Sequence, residues 1–185
     1  MMTRAAVLRA LAATTAVAAS AFLWHNLPVP TQVWAPFDVD GAAGQTVTGR
    51  SLSVTVTGAR LAPTALQRGK PVVEAAGQWL VVDAAVDATT MFVKPVTELR
   101  VGPDTYVPTD RFWTAQLGGE VAPGITQNGS WVFDVAPDRL EAVTEVSLQV
   151  WQGDSRLDSR VVVTIPLSDV VRDDPVVIRP MESAA

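Results

Sequence analysis

Two hydrophobic patterns divide this chain. Residues 10–27 carry no side chain charged at neutral pH and are mostly Ala, Val, Leu and Phe; residues 1–9 before them hold Arg4 and Arg9 and no acid. Beyond about residue 50, apolar and polar residues alternate instead. Unbroken apolarity after a basic start predicts a membrane-directed helix, and period-two alternation predicts half-buried strands. In residues 50–61, Leu52, Val54 and Val56 fall on one face, with Ser51, Ser53, Thr55 and Thr57 on the other. In residues 78–88, Leu80, Val82, Ala84 and Val86 share a face, opposite Trp79, Val81, Asp83 and Asp87. Residues 98–101 and 105–107 flank Gly102-Pro103-Asp104, a hairpin signature. Residues 129–135 turn Trp131, Phe133 and Val135 inward, and residues 146–151 and 160–165 flank Gly153-Asp154 as a second hairpin. Residues 112–117 read as a short strand, 61–71 as a loop with Pro63 and Pro71, and 137–142 as one helical turn. Some seven short strands without helical periodicity predict an all-β, immunoglobulin-like antiparallel β-sandwich preceded by one N-terminal transmembrane or signal helix.

The leader admits two fates. A spanning helix needs about 20 apolar residues and a cleavable signal about 7–15; residues 10–27 fall between them. Ala19-Ser20-Ala21 fits a small-x-small cleavage site, but Phe22-Leu23-Trp24 continues the apolar run past it. Trp24 and His25 then stand where an interfacial aromatic belt belongs, and the basic flank predicts an N-terminus inside the cell. The reading is a retained signal anchor over residues 1–27, with Ala10, Leu11, Val17, Phe22, Leu23 and Trp24 in its membrane-spanning core. The alternative is secretion after cleavage near Ala21. Residues 27–36 hold three prolines, so residues 28–48 read as an extended stalk, 49–168 as the sandwich and 169–185 as a soluble tail. Within that tail, Val176-Val177-Ile178 reads either as an edge strand or as a segment that engages a partner by strand addition.

Composition narrows the chemistry. Net charge is −5, and without the two leader arginines the remainder balances 12 basic against 19 acidic residues. Nucleic acid and anionic lipid need cationic neutralisation, so neither is an expected partner of the sandwich. Arg outnumbers Lys twelve to two, and Ala and Val dominate, which points to a GC-rich, actinobacterial genome. The absence of cysteine removes disulfides, thiolate metal sites and thiol catalysis. His25 is the only histidine and lies in the leader, which removes His-based triads and His metal clusters from the sandwich.

Four segments carry a resemblance. They are residues 77–84 (G-Q-W-L-V-V-D-A), 106–110 (Y-V-P-T-D), 122–124 (A-P-G) and 129–135 (G-S-W-V-F-D-V). This order resembles the bacterial immunoglobulin-like extracytoplasmic domains of unknown function that include secreted immunogenic antigens of mycobacteria. The resemblance covers residues 49–167 and implies a sandwich outside the membrane with no established enzymatic activity. Where that family follows its first long strand with a V-x-N turn, this chain has Asp87-Ala88-Thr89-Thr90.

Candidate sites are few. Asp83 and Asp87 share a strand face, but strand rise separates their backbones by about 13 Å, too far for one proton or one metal ion. Asp169, Asp173 and Asp174 lack calcium-loop spacing, and Ser130 has neither a nucleophile elbow nor a histidine. No catalytic residue, cofactor or metal site is read. Trp79 and Trp151 fall on the more polar strand faces and Trp113 in a loop-flanked segment, so these three make a candidate docking surface. The expected function is a membrane-anchored extracytoplasmic interaction module, without catalysis, whose partner is an envelope or export protein. The alternative is a secreted sandwich that binds a small molecule or an envelope or host component.

Overall fold

The structure is a computed structural model that describes every residue except 1, 2, 29–32, 68, 69, 71, 113, 114, 155 and 185. It divides into two units, residues 1–35 and 36–185.

The first unit is the helix α1, Arg4–Asn26. At 1.5 Å per residue it is about 35 Å long, against a hydrocarbon core of about 30 Å. None of its residues is buried, and Leu8, Leu11, Val17, Phe22, Leu23 and Trp24 are all exposed, as is Ala10. It is the one helix among the described residues long and apolar enough to cross a membrane, a property signal sequences share. Three of its polar side chains are turned back on the helix. Thr14 donates to the Ala10 carbonyl (3.0 Å), Ser20 to Ala16 (2.8 Å) and Asn26 to Phe22 (2.8 Å). Polar groups satisfied within the helix carry little desolvation cost in lipid.

The second unit is a β-sandwich. One sheet orders its strands β1 (Phe37–Ala42), β9 (Ser159–Pro166), β8 (Glu145–Gln152), β5 (Pro95–Val101) and β6 (Asp104–Tyr106). The other runs β10 (Val171–Arg172), β3 (Leu52–Gln67), β4 (Val73–Ala88), β7 (Thr126–Val135) and β12 (Glu182–Ala184), with β2 (Thr46–Thr48) and β11 (Val176–Ile178) also on β3. We call them the β8 sheet and the β4 sheet. The core between them is built from the inward parity of each strand. Leu80, Val82, Trp131 and Phe133 from the β4 sheet meet Leu99, Leu148, Val150 and Val163 from the β8 sheet. The central ladders β3–β4–β7 and β9–β8–β5–β6 are antiparallel, as expected. The short helix α2 (Pro137–Glu141) fills the helical turn expected at 137–142.

Several boundaries differ from the sequence reading. The sandwich begins at Phe37, not residue 49. β1 joins β9 and β2 joins β3, so residues 37–48 are sheet rather than stalk. The soluble-tail reading at 169–185 also gives way, because β10, β11 and β12 all pair within the β4 sheet, and Val176-Val177-Ile178 takes the edge-strand alternative. β1, β10 and β11 add in parallel, so the sheets are mixed at their edges rather than wholly antiparallel. The loop expected from residue 61 is strand to Gln67. Pro63 sits at a register shift between Ala62 and Thr64, where its missing N–H breaks no ladder bond. Residues 110–112 form a 3-10 turn instead of a strand, and among the described residues of 112–117 Gln116 bridges to Ser130.

The hairpin at Gly102 follows the expected chemistry. Val101 pairs Asp104, leaving Gly102 and Pro103 as a two-residue loop. Gly102 has φ +57°, a conformation that costs other residues about 1–2 kcal/mol.

Candidate functional site

The outer face of the β4 sheet holds Trp79, Asp83, Asp87 and Ser130 of the residues singled out from sequence. Alternation sends Trp79, Val81, Asp83 and Asp87 outward on β4 and Val132 and Ser130 outward on β7. This face is not uniformly wet. One half is roofed and apolar; the other is polar.

Trp79 belongs to the apolar half and has no exposed surface. It packs in a second hydrophobic cluster with Ala62, Ala65, Val81, Phe112, Ala115, Val132, Val176 and Ile178. The Phe112 ring meets it edge-on at 5.3 Å, and the Arg111 guanidinium lies 5.7 Å above it. Its indole N–H donates to the Val73 carbonyl (3.0 Å). Trp79 is therefore removed from the candidate docking surface: the outward face is covered by the 3-10 turn and β11. Trp151 lies half-buried on the outer face of the β8 sheet, where its indole N–H donates to Gly153 (3.1 Å). Trp113 lies outside the described residues. The tryptophans do not make one patch, since Trp79 and Trp151 stand on different sheets.

The polar half centres on Asp83. Arg60 forks its carboxylate, Nε to Oδ2 at 2.9 Å and Nη2 to Oδ1 at 2.7 Å, while the Ser130 hydroxyl donates to Oδ1 at 2.6 Å. The third Arg60 nitrogen, Nη1, donates to the Val177 carbonyl of β11 (2.9 Å). A bidentate, charge-assisted pair of this kind is geometrically rigid. It gives Asp83 three donors, one of them a fixed cation, and commits Ser130, a poor arrangement for proton abstraction or nucleophilic attack. Asp87 is engaged separately, by the Thr126 hydroxyl. The two carboxylates thus take different partners, in keeping with their spacing along β4.

Beside this network lies a groove of about 370 Å³ lined by Thr57, Asp83, Asn128, Ser130, Arg179 and Glu182. It offers one guanidinium, one amide and one exposed carboxylate to solvent. Among the described residues no cluster of His, Asp and Glu is arranged to hold a metal ion. Asp174 accepts from the Thr64 hydroxyl (2.7 Å) and Asp169 from Ser168 (2.9 Å), so the acids of the C-terminal segment are dispersed. On the β8–β9 turn, Arg156 bonds the Asp154 side chain and holds its carboxyl below the ordinary value.

In two of the segments that carry the family resemblance, Gly77 and Asp134 have a geometric role. Gly77 sits where β4 bulges between its pairs with β3. A Cβ there would lie 2.3 Å from the Val135 carbonyl oxygen. Asp134 then caps the bulge, accepting from the N–H groups of Ala76 (2.9 Å) and Gly77 (2.8 Å).

Sequence reasoning missed Arg60 as the partner of Asp83. The signal was present: Val54 and Val56 point inward at even positions, then Ala59 and Leu61 at odd ones. That slip of one marks the bulge between Val56 and Gly58, which turns Arg60 outward.

No protein-family model matches the chain, and no curated protein matches it. It is similar to a solved structure from Clostridium difficile 630, described as an uncharacterized β-sandwich protein. The identity is 12% and the TM-score 0.47, over 70% of this chain and 95% of that one.

Proposed function

We propose that the protein is an extracytoplasmic interaction module, retained in the cytoplasmic membrane by α1 with its N-terminus inside. In this reading it is a non-catalytic accessory to a cell-envelope or export assembly. The observation that carries the proposal is α1 itself: 23 residues, apolar on every side, with no buried face. A helix apolar all round is stable in water only inside a core, and in lipid without one.

We infer further that the sandwich is immunoglobulin-like. The strand order β3–β4–β7 against β9–β8–β5 corresponds to A-B-E against G-F-C, the arrangement that fold uses. That order supports kinship with bacterial immunoglobulin-like extracytoplasmic domains, as do the bulge residues Gly77 and Asp134. The lack of catalysis is inferred from the engagement of Asp83 by Arg60 and Ser130 and the absence of histidine from residues 36–185. A second reading, secretion after cleavage, is favoured by Ala19-Ser20-Ala21.

Alkaline extraction of membranes, combined with protease treatment of intact spheroplasts, tests the proposal. The full-length chain should stay in the membrane pellet, and external protease should reach the sandwich. A chain recovered wholly in the soluble fraction contradicts it.

A further inference from the structure

We propose that residues 173–184 form a detachable strap and that its seat on the β4 sheet accepts the same strap from a second copy of this chain. The inference rests on the strand seat alone and does not depend on the membrane reading.

The strap touches the sheet at two ends. At one end, β11 adds three residues to the edge of β3, Val176 opposite Ala65 and Ile178 opposite Gln67. At the other, β12 adds three residues to the edge of β7, Glu182 opposite Asn128. Between these edges the chain passes beside Asp83 and Ser130, where Met181 rests against the core and open grooves flank the rest. The 370 Å³ groove opens beside Arg179, Pro180 and Glu182, and a second open groove of about 680 Å³ lies beside Met181. Pairings this short contribute few ladder bonds, and loosely packed segments open locally before the core does.

The seat is specific for an extended strand. Its floor of Trp79, Phe112 and Val132 takes two apolar side chains two positions apart, Val176 and Ile178, which are 0% and 1% exposed. Arg60 grips the intervening Val177 carbonyl, and Thr64 donates to Asp174. An apolar side chain at i and i+2, a backbone carbonyl between them and an acid upstream define the occupant. This chain supplies that occupant, and a second copy supplies the same one. Exchange would remake each of these contacts, so its cost is confined to the connection at residues 167–172 and to concentration. Opening without exchange would bare Trp79 and Phe112 to water, which favours re-covering by an identical strap.

The chain has no cysteine, so introduced thiols report strap position without background. Thr64→Cys and Asp174→Cys would be made singly and together in the full-length chain. The double variant should close an intramolecular disulfide. Coexpression of the two single variants should give a disulfide between copies, several-fold more abundant than either like-with-like product. Failure of the double variant to close, or equal yields of mixed and like-with-like dimers, would overturn the proposal. In the wild-type chain, the amides of Val176–Ile178 should exchange hydrogen orders of magnitude faster than those of β4 at residues 80–86. Equal protection would show a strap that does not detach and would also overturn it.

Discussion

Gly77 shows how much structural work one residue does here. Its Cα lies against the Val135 carbonyl, and its N–H feeds Asp134. Gly77→Ala must move backbone, and the expected loss is about 1–3 kcal/mol. Asp134→Ala leaves two bulge N–H groups without their acceptor, at about 1–2 kcal/mol. Urea unfolding of both variants measures these losses, and values within error of wild type would contradict the bulge account. Trp79→Ala should cost more, about 3–5 kcal/mol, because the indole is wholly enclosed. A change under about 1 kcal/mol would return Trp79 to the surface.

Asp154 gives a pH prediction at the same scale. Its hydrogen bonds from Arg156 lower its pKa in the folded chain. A depressed carboxylate contributes stability above its unfolded pKa and loses it as pH falls through the folded value. The window therefore lies on the acid side of the ordinary aspartate range. The pair is fully exposed, so salt screens it and the effect on global stability is slight. An NMR titration should place Asp154 below ordinary aspartates and return it to their range in Arg156→Ala. An unchanged Asp154 in that variant would rule out the pair as the cause.

At the scale of elements, long strands declared themselves, and short ones only where a turn or an apolar run marked them. β4 and β7 were legible because eleven and seven alternating residues fix which side faces in. Alternation tells which residues share a face, but not whether something far along the chain covers that face. Trp79 was assigned the correct side and the wrong environment, because its roof comes from residues 110–115 and 176–178. β10 and β12 hold two or three residues each, too few for a period to register, whereas β11 is the edge strand read at Val176-Val177-Ile178. β1 was hidden by neighbouring prolines and by Asp38 and Asp40, whose charges suit an edge strand. Pro63 suggested a break because proline ends most strands, and a bulge accommodates it here. Of the polar site, Asp83 was visible from sequence, while its partner Arg60 required reading one bulge correctly.

Arg60 joins elements that sequence separates widely. It ties β3 to β4 through Asp83 and to β11 through Val177. Arg60→Ala should weaken the chain by about 1–3 kcal/mol, since it strips a partly buried carboxylate of its charged donor. Hydrogen exchange should rise first at Val176–Ile178 in that variant. Loss of protection spread evenly over β4 and β7 would show that Arg60 does not hold β11 in particular.

At the scale of the molecule, two solvents are written into one chain. The sandwich solves its packing with two antiparallel ladders, a shared core and a second hydrophobic cluster on its outer face. The helix has no buried residue, and its Thr14, Ser20 and Asn26 bond their own backbone. A bilayer is the environment in which such a helix is at rest, and retention there would confine the sandwich to the membrane surface. The most direct measurement is the intact mass and N-terminal sequence of the protein purified from its own membranes. Retention predicts a chain that still begins at Met1 or Met2, with all of Arg4–Asn26 present. A mature protein that begins at Phe22 would contradict it.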